Sequence, residues 1–158
     1  MARVSVINDS SHFLELMHDL LDSLGHQMTG FTAVEASIEE VVQSQPELLI
    51  VDLRLQDRPQ EISGWELMLL ARSHRQLINV PLILCTADVW ELKKRAKDLE
   101  QIAGVHVRTK PFDVNEMCEL IDHLLAEGSG AEAGTARQPI SLPRWIAREV
   151  RDGAEAEA

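Results

Sequence analysis

Short aliphatic and β-branched runs alternate with stretches of helical periodicity five times along this chain, a pattern that restricts it to a parallel sheet covered by helices on both faces. The strand candidates are Val4 to Ile7, His26 to Phe31, the run after Pro46, Val80 to Cys85, and Val105 to Thr109. Between them, Phe13, Met17, Leu20 and Leu24 recur at helical spacing behind a cap at Ser10 or Ser11, and Gly25 ends that helix. Residues 33–44 and Gly64 to Leu77 read as the second and third helices. The fourth helix carries Val89, Leu92, Ala96 and Leu99 on its apolar face and closes at Gly104. The last presents Val114, Met117, Ile121 and Leu124.

With 158 residues and a hydrophobic share of 45%, the chain can bury one core but has no room for two independent domains. Its net charge of −11 and pI near 4.9 argue against nucleic acid or anionic membrane as the main partner, since both require clustered Lys and Arg. Proteins are the expected partners. Cys85 in a strand candidate and Cys118 in a helix candidate read as reduced thiols, with no disulfide framework and no zinc spacing. His12 and His18 fall on solvated or edge faces of the first helix and His74, His106 and His123 in separate elements, which disfavours a histidine-ligated metal. No secretory pattern opens the sequence and no apolar stretch is long enough to span a bilayer, so a cytoplasmic location is expected.

The run Leu48-Leu49-Ile50-Val51 ends in Asp52, and three other strand candidates also end in polar groups. These are Asn8-Asp9 after Ile7, Thr86-Ala87 after Cys85, and Lys110-Pro111-Phe112 after Thr109. In an open α/β sheet, ligands bind outside the carboxyl ends of the strands, so acid, acid, hydroxyl and ammonium would converge in one pocket. Taken singly, each residue has an ordinary reading. An aspartate at a strand end serves turns and caps, a threonine can be a core-edge hydroxyl, and a lysine a solvated cation. Their coincidence at four strand ends favours a shared site.

This set, in this chain order and with the Lys-Pro-Phe segment, resembles the receiver domain of two-component response regulators over roughly residues 3–126. The resemblance implies a flavodoxin-like, doubly wound α/β fold of five parallel strands in the order 2-1-3-4-5. It also implies that Asp52 accepts a phosphoryl group, since a carboxylate can act as nucleophile when metal ions and cations neutralise the transferring oxygens. Mg²⁺ would be held by Asp9, Asp52 and the backbone carbonyl of Arg54, with Asn8 orienting a metal-bound water. Lys110 would pair with the phosphoryl oxygens, and Thr86 would move to hydrogen-bond them. The Lys110-Pro111 bond is often cis in this family. Such a protein is a phosphoacceptor signalling domain and not a turnover enzyme. It takes phosphate from a histidine kinase or phosphotransfer protein and engages a downstream protein, here through about residues 88–126.

The sequence departs from the family at three places. Asn8-Asp9 replaces the usual acidic pair, which weakens attraction for the metal. Val107 occupies the place of a common aromatic, and the chain has no tyrosine, so switching by a threonine–aromatic couple cannot run in its usual form. The segment from Gln56 to Ser63 lengthens the loop after Asp52, as a lid, a partner contact or a tolerated insertion. Arg54 and Asp88, each two residues past a site residue, are expected to pair across the mouth. The departures keep open a pseudo-receiver that binds a partner without phosphorylation. A phosphohydrolase ranks last, because Arg54 stands where such enzymes place a second aspartate.

The receiver domain is expected to span residues 1–126. Residues 127–158 read as a flexible linker and tail, in which four arginines are outnumbered by six acids. A short amphipathic helix near residues 142–151 could dock on a partner or on the receiver itself.

Overall fold

The computed structural model describes residues 1–32, 38–53 and 63–130. The elements alternate as expected: β1 (Arg3–Ile7), α1 (Ser11–Ser23), β2 (Gln27–Phe31), α2 (Glu39–Gln43), β3 (Leu48–Asp52), α3 (Gly64–Ser73), β4 (Leu82–Thr86), α4 (Val89–Glu100), β5 (Val105–Thr109) and α5 (Val114–Gly130). All strands run parallel, in the order β2-β1-β3-β4-β5. The central strands β3 and β4 are buried along their whole length, which is why their sequences are apolar on both faces.

Alternate strand residues feed two cores, one on each side of the sheet. Ile7, Leu49, Val51, Leu82 and Leu84 pack with Val41 of α2 and with Trp65, Leu67 and Met68 of α3. Val4, Val6, Ile50 and Ile83 pack on the other side with Met17, Leu20 and Leu21 of α1 and with Met117, Ile121 and Leu124 of α5.

Helix ends follow local chemistry. The Ser10 hydroxyl accepts the Phe13 N–H at 3.3 Å and caps α1. Gly25 and Gly104, at φ 81° and 76°, occupy the left-handed conformation in the turns after α1 and α4. Helix α3 stops at Ser73, earlier than the expected Leu77. Residues 74–79 form turns instead and still bury Leu77 and Ile78. That corner is held by Arg72, a 1%-exposed side chain whose guanidinium donates to the carbonyls of Leu77 (3.1 Å), Ala103 (3.0 Å) and Gly104 (2.9 Å).

Helix α4 differs most from its expected face. Leu92 and Leu99 lean on the core, but Val89 and Ala96 are exposed, and no α4 residue is fully buried. The inward position between the two leucines is filled by Arg95, whose guanidinium lies 4.6 Å from the Trp65 ring centre and 3.2 Å from Glu91. Helix α5 continues to Gly130, past the boundary expected at residue 126. The expected tail helix near 142–151 lies outside the described residues, as do the lengthened loop up to residue 62 and the start of the second expected helix.

Candidate functional site at the carboxyl edge of the sheet

The sheet order sets β1 and β4 on either side of β3, with β5 beyond β4, so four strand ends meet. Ile7 lies opposite Val51, Asp52 opposite Cys85, and Thr86 opposite Thr109. Backbone bonds carry the pairing past the strand ends: Leu53 N–H donates to Cys85 O at 3.2 Å and Lys110 N–H to Thr86 O at 2.9 Å. The side chains of Asn8, Asp52, Thr86 and Lys110 are thereby gathered without any long loop to order.

Asp52 is 9% exposed, and its Oδ2 accepts from Lys110 Nζ at 2.8 Å and from Asn8 Nδ2 at 3.1 Å. Both donors are themselves held. Asn8 is 1% exposed and its Oδ1 accepts the Ser10 N–H at 2.8 Å, which turns the amide nitrogen toward Asp52. The Lys110 ammonium rests 4.2 Å from the centre of the Phe13 ring, and Phe13 meets Phe112 edge to face at 6.1 Å. The Lys110-Pro111 peptide bond is cis.

Thr86 is buried, and its Oγ1 accepts the Asp88 N–H at 3.0 Å. Asp88 Oδ1 in turn accepts the Glu91 N–H at 3.0 Å and caps α4. Asp52, Thr86, Ala87, Asp88, Val89, Trp90 and Lys110 line an open cleft of about 560 Å³. Gly64, at the start of α3, passes so close to the end of β3 that a Cβ there would stand 1.7 Å from the Asp52 carbonyl oxygen, so only glycine fits. Cys85, beside Asp52 in the register, has its thiol pushed up to about 12 by burial, which outweighs the lowering influence of Lys110.

The expected site residues separate into two groups. Asn8, Asp52 and Lys110 form one hydrogen-bonded unit, with Thr86 on the same cleft. Asp9 is exposed just past β1, and Arg54 lies outside the described residues, so its carbonyl and its pairing with Asp88 do too. Among the described residues no group of three or more His, Cys, Asp or Glu forms a cage for a metal. Mg²⁺ needs less than that, because one or two carboxylates with water and phosphoryl oxygens suffice, and Asp52 on the cleft is one such carboxylate. Asn8 has both ends of its amide engaged, as a clamp on Asp52. Sequence reasoning missed Phe13, because an apolar residue at helical spacing reads as core whether or not a cation lies on its ring.

The response regulator receiver domain model matches residues 4–122, and the chain belongs to that family. Among solved structures, chemotaxis protein CheY4 of Vibrio cholerae shares 16% identity, with 78% of this chain and 98% of that one covered and a TM-score of 0.65. The signal receiver domain of a signal transduction histidine kinase from Syntrophus aciditrophicus shares 19% over 90% and 100% of the two chains, with a TM-score of 0.67. The receiver domain of a sensor histidine kinase from Pseudomonas aeruginosa, solved with a magnesium ion coordinated in its active site cleft, shares 19% over 79% and 98%, with a TM-score of 0.62. At these identities the likeness is one of fold. Among curated proteins none shows significant similarity to the chain.

Proposed function

We propose that this receiver domain is a phosphoacceptor: Asp52 takes a phosphoryl group from a histidine kinase or phosphotransfer protein, and the chain signals through protein contacts. The observation that carries this reading is the 2.8 Å pair between Lys110 Nζ and Asp52 Oδ2 on the wall of an open cleft that also holds Thr86. A carboxylate oxygen of Asp52 attacks phosphorus, and the P–N bond to the donor imidazole breaks. The nitrogen keeps the bonding pair, and the product is an acyl phosphate on Asp52. Asp9 and Asp52 would hold Mg²⁺, which would supply neutralising charge for the phosphoryl oxygens. Lys110, 2.8 Å from Asp52 Oδ2, then follows those oxygens as a point charge while Asn8 keeps the Asp52 carboxyl oriented.

Thr86 supplies a route for the signal that needs no tyrosine. Its hydroxyl oxygen holds the Asp88 N–H, and Asp88 caps α4. Turning that hydroxyl toward a phosphoryl group withdraws the acceptor from Asp88 and loosens the first turn of α4. The chain then acts as a switch and not as a turnover enzyme, and a cytoplasmic site of action suits a kinase partner. Among the described residues no helix is long and apolar enough to cross a membrane.

One observation favours a second reading, a phosphorylation-independent binding module. The Lys110 ammonium balances the charge of the Asp52 carboxylate, and the Asn8 amide donates a hydrogen bond to the same oxygen. Intact-mass measurement after incubation with a small-molecule phosphodonor and Mg²⁺ separates the two. A single phosphoryl adduct on the wild type, absent from Asp52→Asn, is the expected result. An unmodified wild type that is folded would leave the binding module as the function.

A further inference from the structure

We infer that Phe13 is a positioning residue for the reaction at Asp52: the face of its ring holds the Lys110 ammonium at the cleft while the charge on Asp52 changes. The inference rests on the phosphoacceptor reading for what Lys110 does, and on the local packing for what holds it. The Lys110 side chain is 23% exposed and ends a flexible four-carbon stem, so its ammonium has water as a ready alternative to the site. Two groups hold it: Asp52 Oδ2 at 2.8 Å, its one ion-pair partner among the described residues, and the Phe13 ring centre at 4.2 Å. At that distance the negative face of the ring attracts the cation.

Both the ring and the ammonium are tied to the acceptor carboxylate. Phe13 lies in the first turn of α1, where its N–H donates to Ser10 Oγ at 3.3 Å. Ser10 N–H donates to Asn8 Oδ1 at 2.8 Å, and Asn8 Nδ2 donates to Asp52 Oδ2 at 3.1 Å. This run of hydrogen bonds joins Asp52 to the backbone that carries the ring. From the other side Phe112, in the segment just past Lys110, meets Phe13 edge to face at 6.1 Å with the ring planes at 89°. Both rings lean on the core that α1 and α5 share, which fixes the plane of the Phe13 ring beneath the ammonium.

A neutral ring suits this task better than a second carboxylate. As a carboxylate oxygen of Asp52 bonds to phosphorus, the carboxylate loses the charge that pairs with Lys110, and the ammonium has to pass to the phosphoryl oxygens. The attraction of the ring does not depend on the charge of Asp52, so it persists across that handover and keeps the ammonium from solvent. A carboxylate in the place of the ring would repel the arriving phosphoryl oxygens. Holding the cation in advance lowers the ordering that the reaction otherwise has to supply, so a side chain that never touches the phosphoryl group speeds its transfer.

The test follows adduct formation on the full chain by intact mass, with phosphoramidate and Mg²⁺ as the probe. A carboxylate oxygen of Asp52 attacks phosphorus, the P–N bond breaks, and the nitrogen leaves as ammonia with the bonding pair. Phe13→Leu and, as a second ringless variant, Phe13→Met keep an apolar side chain, Phe13→Tyr keeps the ring, and thermal melts check each fold. The second-order rate should fall about fivefold in the two ringless variants and return to within about twofold of wild type in Phe13→Tyr. A readout independent of phosphate is the proton NMR shift of the Lys110 ε-methylene, which the ring face moves upfield in wild type and Phe13→Tyr and not in the ringless pair. Wild-type rates without the ring, a tyrosine variant as slow as the leucine one, or an unshifted methylene in wild type would each overturn the inference. A wild type that takes no phosphoryl group would end the phosphoacceptor reading instead, and the methylene shift would then decide alone whether the ring holds Lys110.

Discussion

At Asn8 an amide stands where an aspartate would set a second negative charge beside Asp52, and it donates to that carboxylate at 3.1 Å. Restoring the acid by Asn8→Asp exchanges a hydrogen bond for like-charge repulsion, which a divalent cation relieves. The variant should therefore be less stable than wild type without metal and should gain more in thermal midpoint on adding Mg²⁺, with affinity about tenfold higher. Equal metal-induced shifts in the two proteins would refute this. Cys85 gives a prediction in the alkaline range. Its thiol holds its proton up to about 12 in the folded chain, against 9.0 for a free thiol. Below pH 9 both states are protonated and nothing is lost. Above it the unfolded chain releases the proton first, so stability falls as pH rises toward 12, by an amount on the order of 4 kcal/mol. No tyrosine titrates in that window to obscure the slope. Denaturant melts between pH 8 and 11 should flatten in Cys85→Ala, and native alkylation near pH 8 should spare Cys85.

Among the elements, the strands and their polar ends were the most legible in the sequence. A strand buried on both faces must be a continuous apolar run, and a polar residue that closes it marks the sheet edge, as Asp52 and Thr86 do. What escaped notice were cations doing inward work. Apolar periodicity predicts Val89 and Ala96 on the buried face of α4, yet both are exposed while Arg95 stacks on Trp65. Arg72 likewise reads as a surface charge in any composition count. Its guanidinium instead satisfies three carbonyls in the turns that follow α3 and α4. The expected run of α3 to Leu77 failed for the same reason, because Leu77 is buried from a turn and its carbonyl is held by Arg72. Replacing Arg72 by methionine keeps the apolar stem but strips the guanidinium donors from those carbonyls, of which Leu77 O and Gly104 O keep the Val80 and Leu82 N–H groups. The expected cost is about 3 kcal/mol by urea unfolding, with faster amide exchange in the turn before β5. A loss under about 1 kcal/mol would show that water replaces the guanidinium.

On the scale of the whole molecule, the family assignment rests on residues 4–122, and the site on four strand ends that topology alone brings together. Asp52, Thr86 and Lys110 could be picked out in the sequence because each closes or directly follows its own strand, whereas Phe13 gains its place under Lys110 from the packing of α1, which no local pattern reports. The acidic excess acts on the chain as a unit. A charge of −11 opposes the compact state by self-repulsion, so moving from low salt to about 0.5 M should raise the thermal midpoint by a few degrees. A flat or falling midpoint would mean that local pairs such as Lys110 with Asp52 outweigh the mean field. The grip of Arg72 has a mechanical consequence. Helix α4 is clamped at its far end, where Ala103 and Gly104 are held, and has no deeply seated side chain along its length. On the proposed function it would serve as a cantilever whose fixed end lies away from the cleft and whose other end carries Trp90, so that a push delivered at Thr86 would be spent as travel at the tip.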